Sequence, residues 1–237
     1  METENKTFVL IGGGEIRNKT TLQIDEYIVS LAKAHAGDKR PRALFIGTAS
    51  HDFMPYFNSF RKTYTGVFDV KVDCLLTVYT TYDKEKMAEK FALADVIYVG
   101  GGDTLYMIDK WKETGVDEMI LSAYSSGVPV CGLSAGAICW FEDIYTDSAD
   151  GDNLYAFAKG MGILKGACSP HFNKRIEDLK PAFLKTDLQS ILAIEDDCAV
   201  VYENGKMKGT ITSGGKAYIM RKNVGETELY EINKFTE

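Results

Sequence analysis

Short apolar runs alternate along the first half of the chain with longer segments whose apolar residues recur at helical spacing. The apolar runs predict strands, and the longer segments predict amphipathic helices. The predicted strands lie at residues 8–11, 43–46, 95–99 and 128–131, with a further strand that begins at 70–72. The predicted helices lie at residues 22–34, 53–64, 83–93, 104–112 and 116–125. Because β-branched runs separated by helices are typical of buried parallel strands, we predict a mostly parallel sheet with helices on both faces.

The last third of the chain has a different pattern, in which short apolar runs follow one another closely. These runs predict strands at 191–194, 199–202, 206–210 and 217–221. Asn204-Gly205 tolerates the positive φ angles of a tight hairpin turn between two of them. We therefore expect antiparallel strands appended to the same sheet. Since no linker, repeat or low-complexity tract interrupts the chain, we expect one domain over residues 1–237.

Composition and charge narrow the function classes. Hydrophobic residues make up 45% of the chain, which is enough for a large core, and the net charge of −7 without a basic stripe argues against nucleic acid as a partner. No apolar run is long enough to cross a membrane, and the first residues lack the features of a secretory signal. The five cysteines are odd in number and show no C-x-x-C spacing, which favours reduced thiols in a cytoplasmic protein over disulfides or zinc.

The segment Gly132-Leu133-Ser134-Ala135-Gly136 is the most informative pattern in the chain. It follows a predicted strand and precedes another apolar stretch, which is the context of a nucleophile elbow. The glycines permit a tight turn, so that the serine hydroxyl is exposed and the next backbone N–H lies at a helix N-terminus. The pattern predicts Ser134 as a nucleophile, although a turn that happens to contain serine has the same composition.

A serine nucleophile needs a base, and the chain has three histidines. His35 is predicted at a helix C-terminus on the surface, whereas His51 and His171 follow predicted strand ends. We favour His171 because doubly wound hydrolases have the chain order serine, acid, histidine. By the same order, the acid would come from the acidic stretch between Ser134 and His171, which is otherwise a solvated loop: Glu142, Asp143, Asp147, Asp150 and Asp152.

A second glycine-rich turn, at residues 100–104, ends one predicted strand and opens a helix. Backbone without side chains can approach a substrate carbonyl closely, so we predict an oxyanion site made by Gly101 or Gly102 together with Ala135. A nucleotide loop is less consistent with the sequence. The earlier glycines at 12–14 lack the third glycine of G-x-G-x-x-G, and tight turns explain them equally well.

Three motifs together resemble the dipeptidase E and cyanophycinase family of serine peptidases, in particular its short dipeptidase-E-like members. The motifs are VGGGDT at 99–104, CGLSAGA at 131–137 and SPHF at 169–172, and the likeness in order and spacing extends over most of the chain. The resemblance implies a three-layer αβα sandwich with a mostly parallel, flavodoxin-like sheet of the class I glutamine amidotransferase type.

The same resemblance implies Ser134 as nucleophile, His171 as base and an acid near Tyr145-Thr146-Asp147. We choose Asp147, and a gap of one or two residues would move the assignment to Asp150. The family usually has Asn where this chain has Asp103, so we expect Asp103 to influence substrate binding. The family's aspartyl dipeptidases cleave after an N-terminal aspartate, and Arg175 is the candidate partner for such a carboxylate, unless it is a helix-surface residue.

The sequence therefore predicts a serine peptidase for small peptides that works through an acyl-enzyme and needs neither a metal nor an organic cofactor. Peptide specificity stays open, as does the choice between monomer and homodimer. An esterase or amidase of the same fold is the first alternative. A catalytically inactive ligand-binding protein on the same scaffold is the second, and a flavin-binding protein is the third.

Overall fold

The fold is built on two mixed sheets. The computed structural model describes residues 5–79, 83–149 and 154–236. Within these residues the strands are β1 (Thr7–Ile11), β2 (Arg42–Ile46), β3 (Lys71–Leu75), β4 (Val96–Val99), β5 (Val130–Leu133), β6 (Phe141–Thr146), β7 (Ala156–Lys159), β8 (Leu164–Ser169), β9 (Ser190–Ile194), β10 (Cys198–Glu203), β11 (Lys206–Thr212), β12 (Ala217–Asn223) and β13 (Glu226–Glu231).

The helices are α1 (Leu22–Ala36), α2 (Met54–Gly66), α3 (Lys84–Ala92), α4 (Thr104–Thr114), α5 (Val116–Ser125), α6 (Ala135–Ile138) and α7 (Phe172–Leu184). The first five match the predicted helices within three residues at either end. The helix α7, which follows His171, was not among the predicted elements.

The first sheet has the strand order β11-β10-β1-β5-β4-β2-β3. Its strands β1 to β5 are parallel, and β10 and β11 extend it in antiparallel fashion. The helices α1 and α2 pack on one face, where Ile24, Ile28 and Phe60 are fully buried. The other face contacts α4 and α5 and also part of the second sheet. The predicted α/β sandwich is therefore confirmed.

The expectation that all C-terminal strands extend one sheet was wrong. The second sheet has the order β13-β12-β9-β8-β6-β7, so β9 and β12 lie there while β10 and β11 lie in the first sheet. The residues that follow the serine motif also differ from the prediction, because 141–146 form β6 rather than an acidic loop. An apolar run predicts a strand but not its partner, which is chosen by packing between segments distant in sequence.

The topology brings the carboxyl ends of strands from both sheets to one edge. In the first sheet, β1 and β5 are paired in parallel with Ile11 opposite Leu133, so the loops that follow them are neighbours. In the second sheet, β8 and β9 are paired in parallel with Ser169 opposite Ala193. A ligand crevice at such strand ends is the usual arrangement in α/β folds, and the residues of interest lie there.

Candidate active site

Ser134 lies in a turn between β5 and α6 with φ 53° and ψ −109°, a conformation that is uncommon for a residue with a side chain. The turn is held by a hydrogen bond from the Ser134 N–H to the carbonyl oxygen of Ile11, at 2.9 Å. A Cβ on Gly132 would lie 2.0 Å from the Gly136 carbonyl oxygen, and a Cβ on Gly136 would lie 2.3 Å from that of Val99. The two glycines of the motif are therefore required sterically, as their spacing predicted.

His171 contacts Ser134 directly. Its Nε2 atom lies 2.9 Å from Ser134 Oγ, which is hydrogen-bond distance. The histidine follows β8 after one proline and has a left-handed backbone, with φ 51°. Its backbone N–H donates to the carbonyl oxygen of Gly12 at 3.0 Å, so the loop after β1 anchors the backbone of the histidine. The predicted pairing of this serine and this histidine is thus present in the structure.

Asp196 occupies the other side of the imidazole. Its Oδ1 atom lies 2.5 Å from His171 Nδ1, and its Oδ2 atom accepts from Lys174 Nζ at 2.6 Å. The backbone N–H of Asp196 donates to the side chain of Asn173 at 3.1 Å. Burial alone would raise the pKa of Asp196, but the hydrogen bonds and charges of His171 and Lys174 lower this pKa to about 2. The carboxylate is therefore ionised at every pH at which the protein would be assayed.

Asp147, the acid chosen from the sequence, is not the partner of His171. Its carboxylate lies 3.4 Å from a guanidinium nitrogen of Arg175, and its side chain is half exposed. The alternative, Asp150, lies outside the described residues. The carboxylate that contacts His171 follows the histidine in the chain, whereas the assumed chain order placed it between Ser134 and His171. A usable signal was present: Glu195-Asp196-Asp197 directly follows the predicted strand at 191–194, and His171 was also expected in a loop at a strand end.

Gly13 is a second feature that the sequence did not assign. A Cβ at Gly13 would lie 1.9 Å from Asp196 Oδ1 and 2.4 Å from His171 Nδ1. The adjacent Asp197 N–H donates to the Gly13 carbonyl oxygen at 3.0 Å. The loop after β1 therefore packs directly against the histidine and the aspartate, and only a residue without a side chain fits at position 13.

Two of the residues predicted to form an oxyanion site, Ala135 and Gly101, lie next to Ser134. Ala135 is the first residue of α6, and a Cβ on Gly101 would lie 3.3 Å from the Ser134 Cβ, so Gly101 lies directly beside the serine. The Gly101 N–H donates to the Tyr56 hydroxyl oxygen at 3.3 Å. Gly102 has a φ of 139°, a conformation accessible to glycine.

Two cavities, each of about 400 Å³, meet at Ser134 and His171. The first cavity is also lined by Arg17, Phe53 and Tyr56. Arg17 is exposed, and no ion pair of Arg17 is formed with the described residues. The second cavity is also lined by the two residues predicted to contact substrate and by their neighbours: Asp103, Asp147, Ser148 and Arg175.

The charged side chains of Arg175 and Asp103 already make contacts with other residues of the protein, and Arg175 makes more of them. Arg175 is buried, donates to the Tyr145 carbonyl oxygen at 3.1 Å and stacks 4.6 Å over the Tyr155 ring, in addition to its contact with Asp147. Asp103 caps α4, since its Oδ1 accepts from the Tyr106 N–H at 3.0 Å. Both residues nevertheless line the cavity beside the serine, so neither is a remote surface residue.

The other two histidines lie elsewhere. His35 is 3.1 Å from Asp95 near the C-terminal end of α1, as its predicted position suggested. The His51 ring packs on Tyr106 at 4.1 Å between centroids. Across residues 5–79, 83–149 and 154–236, no cluster of three or more histidine, cysteine or acidic side chains is arranged to hold a metal ion. None of the helices in these ranges is long and apolar enough to span a bilayer.

Comparisons with known proteins agree with this picture. The model of peptidase family S51 matches residues 8–210. The uncharacterized peptidase YgaJ of Bacillus subtilis is 34% identical over 230 residues, which is 93% of each chain. The uncharacterized peptidase Lin0382 of Listeria innocua is 32% identical over 113 residues, or 46% of this chain and 51% of the relative.

Two solved structures share the fold. A peptidase from an acI-B1 actinobacterium superposes with a TM-score of 0.73 at 18% identity, over 96% of this chain and 98% of the other. A protein provisionally assigned as peptidase E, from Listeria monocytogenes EGD-e, superposes with a TM-score of 0.63 at 20% identity, over 88% of this chain and 98% of the other.

Proposed function

Because the chain belongs to peptidase family S51, a family of serine peptidases, we propose that it hydrolyses small peptides through Ser134, His171 and Asp196. The membership confirms the resemblance inferred from the three sequence motifs, and the relatives are likewise named as peptidases. The observation that carries the proposal is the continuous pair of contacts from the serine oxygen through both imidazole nitrogens to one carboxylate.

The proposed mechanism follows from these contacts. His171 Nε2 accepts the Ser134 proton as the oxygen attacks the scissile carbonyl, and the same proton is then given to the leaving amine. Asp196 accepts the hydrogen bond from Nδ1, which fixes the tautomer that leaves Nε2 free to act as a base. Its negative charge stabilises the imidazolium that forms in the transition state. Water then hydrolyses the acyl-enzyme by the same steps in reverse.

We propose that N-terminal aspartyl dipeptides are the substrate class, with one residue in each cavity. In the second cavity, Asp103 would bind the substrate ammonium, and Arg175 would bind the aspartyl carboxylate in place of the half-exposed Asp147. In the first cavity, Arg17 would bind the carboxylate at the C-terminus of the leaving residue. Arginine suits both positions because its planar guanidinium can bind a carboxylate through two hydrogen bonds.

The proposed function is tested by comparing the wild-type protein with Ser134→Ala on Asp-Leu, Ala-Leu and p-nitrophenyl esters. We expect wild-type hydrolysis of Asp-Leu and a loss of kcat of roughly 10⁴–10⁶-fold in the variant, with the fold retained. Ser126→Ala, which removes an exposed serine at the end of α5, is the matched control and should be fully active. Peptide cleavage by Ser134→Ala at the wild-type rate would refute the proposal. Hydrolysis of esters without peptides would favour the esterase alternative.

The two arginine assignments can be separated in the same assay. Arg17→Met should raise KM for Asp-Leu but leave KM for Asp-Leu-amide unchanged, because the amide has no C-terminal carboxylate for Arg17 to bind. Arg175→Met should reduce the preference for Asp-Leu over Asn-Leu. Equal effects of Arg17→Met on the acid and the amide would contradict the placement of the leaving residue in the first cavity.

A further inference from the structure

Tyr56 is the one phenol that lines the cavity formed by Ser134, His171 and Gly101, within the part of the chain that the structure describes. It lies in the first turn of α2, and the same cavity is also lined by His171. None of the sequence motifs pointed to it. We propose that the Tyr56 hydroxyl is a catalytic hydrogen-bond donor to the oxyanion of the tetrahedral intermediate, an inference that rests on the proposed function.

The hydrogen bonds of the Tyr56 hydroxyl determine what it can offer a substrate. Its oxygen accepts the Gly101 N–H at 3.3 Å, so this backbone donor is already engaged by the phenol. A phenol has one proton to donate, and among residues 5–79, 83–149 and 154–236 no acceptor takes it. The proton is therefore available to a group in the cavity. Donation from Gly101 to the phenol oxygen also polarises the O–H bond and strengthens it as a donor.

The protonation state of Tyr56 suits this role. Burial raises the pKa of the Tyr56 phenol to about 12, and the hydrogen bond from Gly101 offsets only part of that effect. The group therefore remains a neutral phenol over the whole pH range of a peptidase assay. It cannot act as a general base, but it can donate a hydrogen bond to developing negative charge.

The packing of the ring holds the hydroxyl in place before any substrate binds. The Tyr56 ring meets the Phe45 ring edge-on, at 5.2 Å between centroids and 77° between planes. Its Cε1 atom lies so close to Gly100 that a Cβ there would be 2.9 Å away. The first glycine of the 100–102 turn thus makes room for the phenol, and the second contacts both the phenol and the serine. A donor fixed in advance costs little reorganisation during the reaction, which is what makes oxyanion stabilisation effective.

The test is Tyr56→Phe, which removes the hydroxyl and keeps the ring. On the peptide that wild type cleaves best, we expect kcat to fall about 10- to 100-fold with KM changed less than about threefold, because the hydrogen bond is made in the transition state. The affinity for a peptide aldehyde, which forms a tetrahedral adduct with the serine, should fall by a similar factor. Tyr106→Phe is the control: it removes a phenol on α4 that does not line the cavity, and it should be fully active.

Unchanged kcat and aldehyde affinity in Tyr56→Phe would overturn the proposal. A change confined to KM would also overturn it, since it would place the hydroxyl on the ground-state substrate. If the variant does not fold, a crystal structure of the wild-type aldehyde adduct decides the question. A Tyr56 oxygen more than about 3.5 Å from the adduct oxygen would exclude the contact. These outcomes are measured against an active wild type, so they are distinct from failure of the proposed function, which Ser134→Ala tests.

Discussion

Asp196→Asn tests the catalytic role of the carboxylate that contacts His171. The substitution preserves the shape of the side chain but removes its charge and replaces one oxygen with an NH₂ group. Lys174 decides how the new amide is oriented. Its ammonium donates to the present Oδ2 position at 2.6 Å, so the amide oxygen should occupy that position and the NH₂ group should face His171 Nδ1. Because the NH₂ group can only donate, the histidine would be forced to carry its proton on Nε2, where it cannot act as a base toward Ser134.

The expected loss of kcat in Asp196→Asn follows from the loss of the correct histidine tautomer and of the negative charge next to the imidazolium. In the serine protease triad, the equivalent change lowers kcat by about 10⁴-fold, so we expect a loss of roughly 10³–10⁴-fold, or about 4–5.5 kcal/mol of transition-state stabilisation. Adding Lys174→Met to Asp196→Asn should recover part of the activity, because the amide is then free to turn its oxygen toward Nδ1. Asp147→Asn, at the carboxylate that contacts Arg175 instead, should change kcat less than about 10-fold.

The assay is steady-state hydrolysis of Asp-Leu at neutral pH, with circular dichroism to verify that each variant is folded. The reasoning would be refuted if Asp196→Asn kept activity within about 10-fold of wild type, or if Asp147→Asn lost as much kcat as Asp196→Asn. Failure of the Lys174→Met addition to recover any activity would contradict the proposed amide orientation while leaving the role of the carboxylate intact.

Two further predictions concern residues that are fully enclosed. Gly13→Ala should lower kcat/KM at least about 100-fold, because the new Cβ would displace the His171–Asp196 pair. Gly66→Ala is the control and should leave activity unchanged, because a Cβ at that position meets open space. Equal activity of the two variants would argue against the steric role of Gly13. Burial raises the pKa of Asp25 from 3.8 to about 6 despite hydrogen bonds from Thr21 and Tyr64. Since the folded state then holds this proton more tightly than the unfolded state, the free energy of unfolding should fall as pH rises from about 4 to about 6, by about 3 kcal/mol at most. Urea unfolding from pH 4 to pH 8 should show that the decrease in the free energy of unfolding disappears in Asp25→Asn and remains in the exposed control Asp38→Asn. If the decrease remained in Asp25→Asn, the pH dependence would belong to other groups.

The sequence predicted the first half of the fold well because its signals are local. Four of the five parallel strands there are short apolar runs followed by glycine or serine, β3 being the exception, and each helix carries an apolar face at helical spacing. The serine turn was equally predictable, since the strand, the glycines and the next helix are adjacent in the chain. The positions of Ser134 and His171 at strand ends then followed from the general placement of sites in α/β folds.

The remaining features depend on pairing between distant segments, which an apolar pattern does not encode. Nothing in the runs at 191–194 and 199–202 distinguishes a strand of the second sheet from a strand of the first. Asp196 was missed as the partner of His171 for the same reason, because the parallel pairing of β8 and β9 places the loops that follow these strands side by side. Tyr56 was missed because its place beside Gly101 depends on how α2 packs against the end of β4, and the sequence around Tyr56 is that of an ordinary amphipathic helix.

The division of the proposed triad between two sheets has a consequence during synthesis on the ribosome. The loop at 12–13 emerges first, the serine turn much later, and the aspartate only after β9, while β10 must still pair with β1. A nascent chain that has emerged only as far as α7 contains the serine and the histidine but lacks the anionic partner that orients the ring. Under the proposed mechanism, the chain should therefore gain its hydrolytic activity only when translation is nearly finished.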